Sequence, residues 1–154
     1  MANVHVGEQA PDFTLRNQDN VDVTLSQLRG RPVVLVFYPL DFSGVCTTEL
    51  CAIRDDYQSF VDLGAVVLGI SRDSRYAHKA WIEARGIRHD LLADMKGEVA
   101  KLYGCWNEEL AYSERLTVVI DPNGTILYTI HNPAGNPRDH HEALDALRKA
   151  QAVA

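Results

Sequence analysis

The chain has 154 residues, a formal net charge of −6 and three cysteines. Its length suits one domain around one hydrophobic core, which we predict over residues 1–154. An acidic chain without a basic run is a poor partner for nucleic acid or an anionic membrane, and its apolar runs are too short to span a bilayer. The first residues lack the basic and apolar segments of a signal peptide, so we expect a cytoplasmic protein.

The first part of the chain alternates strand and helix patterns. Residues 11–15 and 21–25 alternate apolar and polar side chains around the turn-forming residues 16–20, which predicts an N-terminal β-hairpin. Residues 32–38 form a continuous apolar run, typical of a strand that is covered on both faces. Residues 45–62 repeat apolar side chains at steps of three and four, which indicates one face of a helix.

The rest of the chain continues this alternation. Asp73 or Ser74 can cap a helix that runs to Arg85. The other predicted elements are strands over residues 65–70, 116–120 and 125–131, and helices over residues 97–103 and 141–150. Buried strands that alternate with helices, followed by a terminal hairpin, predict an α/β fold with a mixed β-sheet and helices on both faces.

The cysteines are the first candidates for chemistry. An odd number in an apparently cytosolic chain argues against a disulfide framework and leaves redox chemistry, metal binding or core packing. Cys46 follows a buried strand and a tight loop and stands at the start of a predicted helix, where unpaired N–H groups and the helix dipole stabilise a thiolate over a thiol. The histidines show no ligand spacing with the cysteines, and Cys46 and Cys51 are not a C-x2-C pair. We therefore expect neither a metal nor another cofactor.

The residues around Cys46 suit a reactive thiolate. Pro39 has no N–H group and can wall a pocket that keeps water from the sulfur. The hydroxyl of Ser43 can donate to the thiolate and accept from a substrate hydroxyl. Arg115, at the start of a predicted strand, can donate to the thiolate and to a substrate oxygen together. Glu49, on the first turn of the helix, can accept from that arginine and orient it.

These residues carry a resemblance to a known family. The spacing Pro39-x3-Ser43-x2-Cys46 resembles the active-site motif of the peroxiredoxins. Residues 7–15 are similar to that family's first strand, and residues 114–121 are similar to the strand that carries its catalytic arginine. The resemblance covers nearly the whole chain and implies a thioredoxin-like fold. It also implies a peroxidase that reduces hydrogen peroxide and organic hydroperoxides through a sulfenic acid on Cys46.

Two groups within the family are similar to this chain. Residues 38–40, 102–104 and 106–109 resemble the alkyl hydroperoxide reductase E type. Cys51 resembles a cysteine of the bacterioferritin comigratory protein type, also called peroxiredoxin Q. The group stays open at this point, and with it the reductant, which is thioredoxin or a low-molecular-weight thiol. Members similar to this chain are monomers or homodimers, so we expect one of those two states.

The resemblance to the second group implies that Cys51 attacks the Cys46 sulfenic acid and forms a disulfide. In a continuous helix the two Cα atoms lie roughly 8–9 Å apart, whereas a disulfide tolerates a separation of up to roughly 7 Å. Residues 45–51 would therefore unwind locally. We expect Cys105 to pack in the core, with a resolving role as the alternative.

Two other functions remain open. A thioredoxin-like disulfide oxidoreductase would share the thiolate, but it usually carries a C-x2-C pair. A peroxide-sensing redox switch would share the oxidation step and lack rapid recycling. In a purely structural interpretation, Cys46 is a small buried hydrophobe. The presence of Pro39, Ser43 and Arg115 favours the peroxidase.

Overall fold

A seven-stranded β-sheet runs through the computed structural model, which describes residues 3–152. In spatial order its strands are β2 (Asp22–Thr24), β1 (Thr14–Asn17), β5 (Asp90–Ala93), β4 (Val66–Ser71), β3 (Val33–Phe37), β8 (Arg115–Ile120) and β9 (Ile126–Asn132). A separate two-stranded sheet pairs β6 (Trp106–Asn107) with β7 (Tyr112–Ser113). The ends of the predicted domain, residues 1–2 and 153–154, lie outside the described residues.

β3 is the strand that leads into the loop before the first helix. It pairs in parallel with β4 and antiparallel with β8, so the sheet is mixed, as predicted. Every residue of β3 is buried. Because successive side chains point to opposite faces of a sheet, Val34 and Val36 pack into one core, while Val33, Leu35 and Phe37 pack into the other.

Helices cover both faces of the sheet, which confirms the predicted architecture. On one face pack α1 (Gly44–Asp55), α2 (Tyr57–Asp62), α3 (Arg75–Arg85) and α5 (His140–Ala152). On the other face packs α4 (Glu98–Tyr103), together with residues that flank the N-terminal hairpin; a 3₁₀ turn spans Leu25–Leu28. Within residues 3–152, no helix has both the length and the apolar character that a membrane crossing requires.

The N-terminal hairpin forms, but its first strand lies further along the chain than predicted. β1 begins at Thr14, and it includes Arg16 and Asn17, which the turn chemistry had assigned to the loop. These two residues stay extended because they pair with β5. The side chain of Asn17 then closes the turn by accepting from the N–H groups of Asp19 and Val21. Pairing with a distant strand has overridden the local turn signal.

The helix predicted over residues 45–62 is two helices. α1 ends at Asp55, and Asp56 leaves the helical conformation with a φ of −111° before α2 begins. The Asp56 carboxylate accepts from Ser59 Oγ at 2.6 Å and from His140 Nε2 at 3.0 Å. A short polar side chain with such partners competes with the backbone ladder of a helix. α1 is therefore a separate unit.

The sequence pattern does not predict β5. In this strand only Leu91 and Leu92 are buried, and the two flanking residues are half-buried. So short an apolar run is a weak signal on its own. The strand exists because it pairs with both β1 and β4.

Candidate active site

The loop between β3 and α1 places Cys46 in the first turn of α1. Ser43 is the N-cap residue and has an extended backbone, and Cys46 is the third residue of the helix. The Cys46 side chain is 0% exposed. The predicted position of this cysteine at a helix N-terminus is confirmed, and the first-turn N–H groups lie at the same end of the helix as its sulfur.

Arg115 reaches the sulfur from a neighbouring strand. It is the first residue of β8, which pairs with β3, and it is 2% exposed. Its Nη2 donates to Cys46 Sγ at 3.2 Å. Its Nη1 donates to Glu49 Oε1 at 2.6 Å, and its Nε donates to the carbonyl oxygen of Ala134 at 2.6 Å. The planar guanidinium is held on three sides, so one N–H group is directed at the sulfur.

Glu49 binds a second arginine, Arg138. The backbone N–H of Arg138 donates to this carboxylate at 2.6 Å, its Nη2 at 2.8 Å and its Nε at 3.1 Å. Burial alone would raise the pKa of Glu49. The hydrogen bonds and charge of Arg138, with the charge of Arg115, outweigh burial and hold this pKa below its usual value of 4.5. Glu49 is therefore ionised at neutral pH.

The buried cluster of two arginines and one glutamate carries a net positive charge. The side chains of Arg115, Arg138 and Glu49 are each 4% exposed or less. Two guanidinium groups face one carboxylate, which leaves one positive charge in the interior. Buried charges are stable when they are paired. The nearest group that could supply a negative charge is the sulfur of Cys46, which Arg115 Nη2 contacts at 3.2 Å.

The Ser43 hydroxyl does not donate to Cys46, although the sequence had predicted that it would. Ser43 Oγ donates to the carbonyl oxygen of Leu40 at 2.9 Å, so its single proton is directed away from Cys46. Its lone pairs remain available to accept from a substrate hydroxyl, which is the other half of the predicted role. Pro39 begins the same loop and is buried.

The three cysteines are free thiols in different environments. Cys51 is half-buried on α1, and because α1 is continuous, a bond between Cys46 and Cys51 still requires local unwinding. Cys105 packs in the core on the opposite face of the sheet from Cys46. Burial raises the pKa of the Cys105 thiol far above its ordinary value, which leaves it protonated and unreactive.

Sequence reasoning missed Arg138 and its second partner, Thr117. Arg138 Nη1 donates to Thr117 Oγ1 at 3.2 Å, and Arg138 lies 89 residues from Glu49 along the chain. An arginine in a polar segment is usually exposed, so no local pattern distinguishes it. Counting the charges of the predicted site would have pointed to a second cation. A Cys46 thiolate and the Glu49 carboxylate carry two negative charges, and Arg115 alone supplies only one positive charge.

Comparisons with known proteins agree with this fold. Residues 6–129 match the model of the AhpC/TSA family. Alkyl hydroperoxide reductase E of Mycobacterium bovis is 39% identical over 147 residues, which cover 94% of this chain and 96% of that protein. Chloroplastic peroxiredoxin Q of Suaeda salsa is 38% identical over 141 residues, which cover 91% of this chain and 65% of that protein. The crystal structure of peroxidoxin BcpB from Mycobacterium tuberculosis aligns with a TM-score of 0.87 and 33% identity, covering 96% of this chain and 98% of that chain.

The sheet and its helices form a thioredoxin-like fold, and the relatives that match make the chain a thiol-dependent peroxidase. The chain belongs to the AhpC/TSA family and is a peroxiredoxin. The two relatives carry the names of the two groups that the sequence resembles, at nearly the same identity, so identity does not choose between the groups.

Proposed function

We propose that a thiolate on Cys46 reduces hydrogen peroxide and organic hydroperoxides. The sulfur attacks the terminal peroxide oxygen, an S–O bond forms and the O–O bond breaks. The electron pair of that bond leaves with the second oxygen, which takes a proton and departs as water or an alcohol. Cys46 is left as a sulfenic acid. The observation that carries this proposal is the 3.2 Å contact between Arg115 Nη2 and Cys46 Sγ in a buried site.

The residues around Cys46 support that step in different ways. Negative charge moves from the sulfur to the leaving oxygen, so N–H donors along this path lower the barrier. Arg115 supplies one donor, and the first-turn N–H groups of α1 supply others. Ser43 Oγ accepts a hydrogen bond from the peroxide hydroxyl and so orients its terminal oxygen. Pro39 keeps water from the sulfur, and Glu49 orients Arg115.

Cys51 resolves the sulfenic acid. Its thiolate attacks the Cys46 sulfur, an S–S bond forms, and hydroxide leaves and becomes water by taking a proton. Cys51 shares α1 with Cys46, whereas the sheet separates Cys105 from both. Thioredoxin or a low-molecular-weight thiol then reduces the disulfide, by attack at the more exposed Cys51 sulfur.

The burial of Cys46 favours this chemistry over disulfide exchange. An oxidoreductase of the thioredoxin type must bring its nucleophilic sulfur against the disulfide of a second protein. A side chain that is 0% exposed does not meet that requirement, while a peroxide is far smaller than a protein and needs much less access to the sulfur. A cytoplasmic location and a monomeric or homodimeric state remain predictions from the sequence.

Peroxide treatment of cysteine variants tests the proposal. The reduced protein should consume one equivalent of hydrogen peroxide and form a Cys46–Cys51 disulfide, seen by mass spectrometry. Cys46→Ser should lose this reaction, whereas Cys105→Ser, the matched control for a second buried cysteine, should retain it. Cys51→Ser should consume the first equivalent at the wild-type rate and then lose turnover with thioredoxin.

Each contrary result has a distinct meaning. Peroxide consumption by Cys46→Ser would contradict the whole proposal. Undiminished thioredoxin-driven turnover by Cys51→Ser would refute the resolving role of Cys51, and a Cys46–Cys105 bond would transfer that role to Cys105. Oxidation without sustained turnover would favour a redox switch instead.

A further inference from the structure

A buried network holds the loop that carries Pro39 and Ser43. Its members are Tyr38 and His78, which are 0% exposed, and Asp41, whose side chain is 1% exposed. The three side chains come from the residue that follows β3, from α3 and from the loop itself. Polar groups this deeply buried are costly unless they satisfy one another, so the network has one favourable arrangement.

Asp41 is anchored on three sides. Its Oδ1 accepts from Tyr38 Oη at 2.5 Å, and its Oδ2 lies 2.7 Å from His78 Nδ1. Its backbone N–H donates to Asp73 Oδ2 at 2.8 Å, and that oxygen also accepts from Ser71 Oγ at 2.5 Å. Both the side chain and the backbone of the loop are therefore fixed at this residue.

The proton positions make the network self-consistent. His78 Nε2 lies 3.0 Å from the carbonyl oxygen of Leu92, which can only accept, so Nε2 carries a proton. Burial raises the pKa of Tyr38 well above its ordinary value, so its hydroxyl keeps its proton and donates to Asp41. The 2.7 Å contact between Asp41 Oδ2 and His78 Nδ1 joins these two side chains by a hydrogen bond.

The residue between Asp41 and Ser43 is strained. Phe42 has a φ of 65°, in the left-handed region that bulky L-residues rarely adopt. Its side chain is 54% exposed, and its ring centroid lies 6.0 Å from that of Trp81. Such a conformation persists only where the surroundings over-determine it. Here two neighbours constrain Phe42. Asp41 is anchored on one side, and on the other side Ser43 Oγ donates a hydrogen bond to the carbonyl oxygen of Leu40.

We propose that Asp41, Tyr38 and His78 are positioning residues for Ser43. They hold Phe42 in its left-handed conformation and thereby set the place at which the Ser43 oxygen meets the peroxide. They act through the loop and do not contact the substrate. This inference rests on the role of Ser43 in the proposed function.

Tyr38→Phe tests the inference with the smallest change. It removes the hydrogen bond to Asp41 and keeps the ring that packs 5.5 Å from Trp81. We expect the second-order rate constant for hydrogen peroxide to fall about tenfold or more, since displacing a positioned group by ~1 Å can cost ~100-fold in rate. Alkylation of Cys46 by iodoacetamide, followed by peptide mass spectrometry, should keep its wild-type rate because it uses the thiolate and not Ser43.

Tyr103→Phe is the matched control. Tyr103 is also 0% exposed, and its hydroxyl donates to the carbonyl oxygen of Pro11 at 2.6 Å, in the core on the other face of the sheet. Both tyrosine variants should lose a similar amount of stability, but Tyr103→Phe should keep both reaction rates. Ser43→Ala should be slow with peroxide and normal with iodoacetamide.

The outcomes separate this inference from the proposed function. A wild-type peroxide rate in Tyr38→Phe, with a slow Ser43→Ala, overturns the positioning role and leaves the proposed function intact. An equal loss in both reactions of Tyr38→Phe also overturns it, because the thiolate would then be affected and not Ser43. A wild-type peroxide rate in Ser43→Ala contradicts the proposed role of Ser43 and removes the basis of the inference.

Discussion

At the residue scale, Glu49 holds the two arginines of the site together. Arg115 and Arg138 both donate to Glu49 Oε1, at 2.6 and 2.8 Å. The carboxylate thereby fixes the guanidinium that contacts Cys46. Removing one partner of a buried ion pair leaves an uncompensated charge, which costs more than the pair itself contributes. Stability and activity thus depend on the same carboxylate.

Glu49→Gln should therefore be costly. We expect the free energy of unfolding at neutral pH to fall by about 3–5 kcal/mol, the range for breaking a buried pair. As a control, Asp22→Asn removes an exposed carboxylate 3.3 Å from Arg16 and should cost about 1 kcal/mol or less. Urea unfolding followed by circular dichroism measures both variants. Similar small losses in the two would show that Glu49 is not needed to neutralise the arginines.

At the scale of elements, α1 has two requirements that conflict. The intact helix places Cys46 in its first turn and holds Glu49 against the two arginines. The resolution by Cys51 that we propose would instead require the turns between the two cysteines to open. Thr47 and Thr48 lie in that segment, and β-branched residues are weaker helix formers than alanine or leucine. Because Asp56 separates α1 from α2, the opening can stay within α1.

Substitutions at Thr48 should tune that opening. Thr48 is exposed and donates to the carbonyl oxygen of Gly44 at 3.1 Å. Thr48→Ala should stabilise the helix by about 0.5 kcal/mol and Thr48→Gly should destabilise it by a similar amount, so disulfide formation should become about twofold slower and twofold faster, respectively. The initial reaction with peroxide should not change. Rapid quenching and mass spectrometry give the disulfide rate, and identical rates in the two variants would argue against unwinding.

At the scale of the whole molecule, the sheet divides the cysteines into two compartments. Cys46 lies in the core that α1, α2, α3 and α5 cover, and Cys105 lies in the core on the other face. β3 and β8 form the wall between them, and all of their residues are buried. A sulfur–sulfur bond across that wall would require global rearrangement. The oxidation chemistry that we propose for Cys46 and Cys51 would therefore stay on one face of the sheet.

The stability of the whole molecule in acid should depend on Glu49. Because its pKa in the folded protein lies below 4.5, the unfolded chain takes up this proton at a higher pH than the folded protein does. The contribution of Glu49 is therefore complete above about pH 4.5 and is lost as pH falls through the folded-state pKa. The stability difference between the wild type and Glu49→Gln should be constant from neutral pH to about pH 5 and shrink below that. Urea unfolding at a series of pH values measures this stability difference. A difference that widened as the pH fell would contradict the prediction.

Much of the site could be predicted from the sequence because its parts depend on neighbours in the chain. The apolar run of β3, the loop after it and the helical spacing from Cys46 onward place the cysteine at a helix N-terminus. The apolar run after Arg115 places that arginine at the start of a strand. The contact between Arg115 and Glu49 could then be predicted, because a buried guanidinium needs a carboxylate partner.

The sequence by itself determined the alternation of strands and helices on either side of the site, the helix-terminal cysteine and several of the residues that surround it. Only the tertiary structure decided the break at Asp56, the existence of β5, the second arginine on Glu49 and the direction of the Ser43 proton. The physical reason is the distance along the chain over which each kind of interaction acts. Periodicity and capping act over a few residues, whereas hydrogen-bond partners and charge pairs join residues that packing brings together from far along the chain.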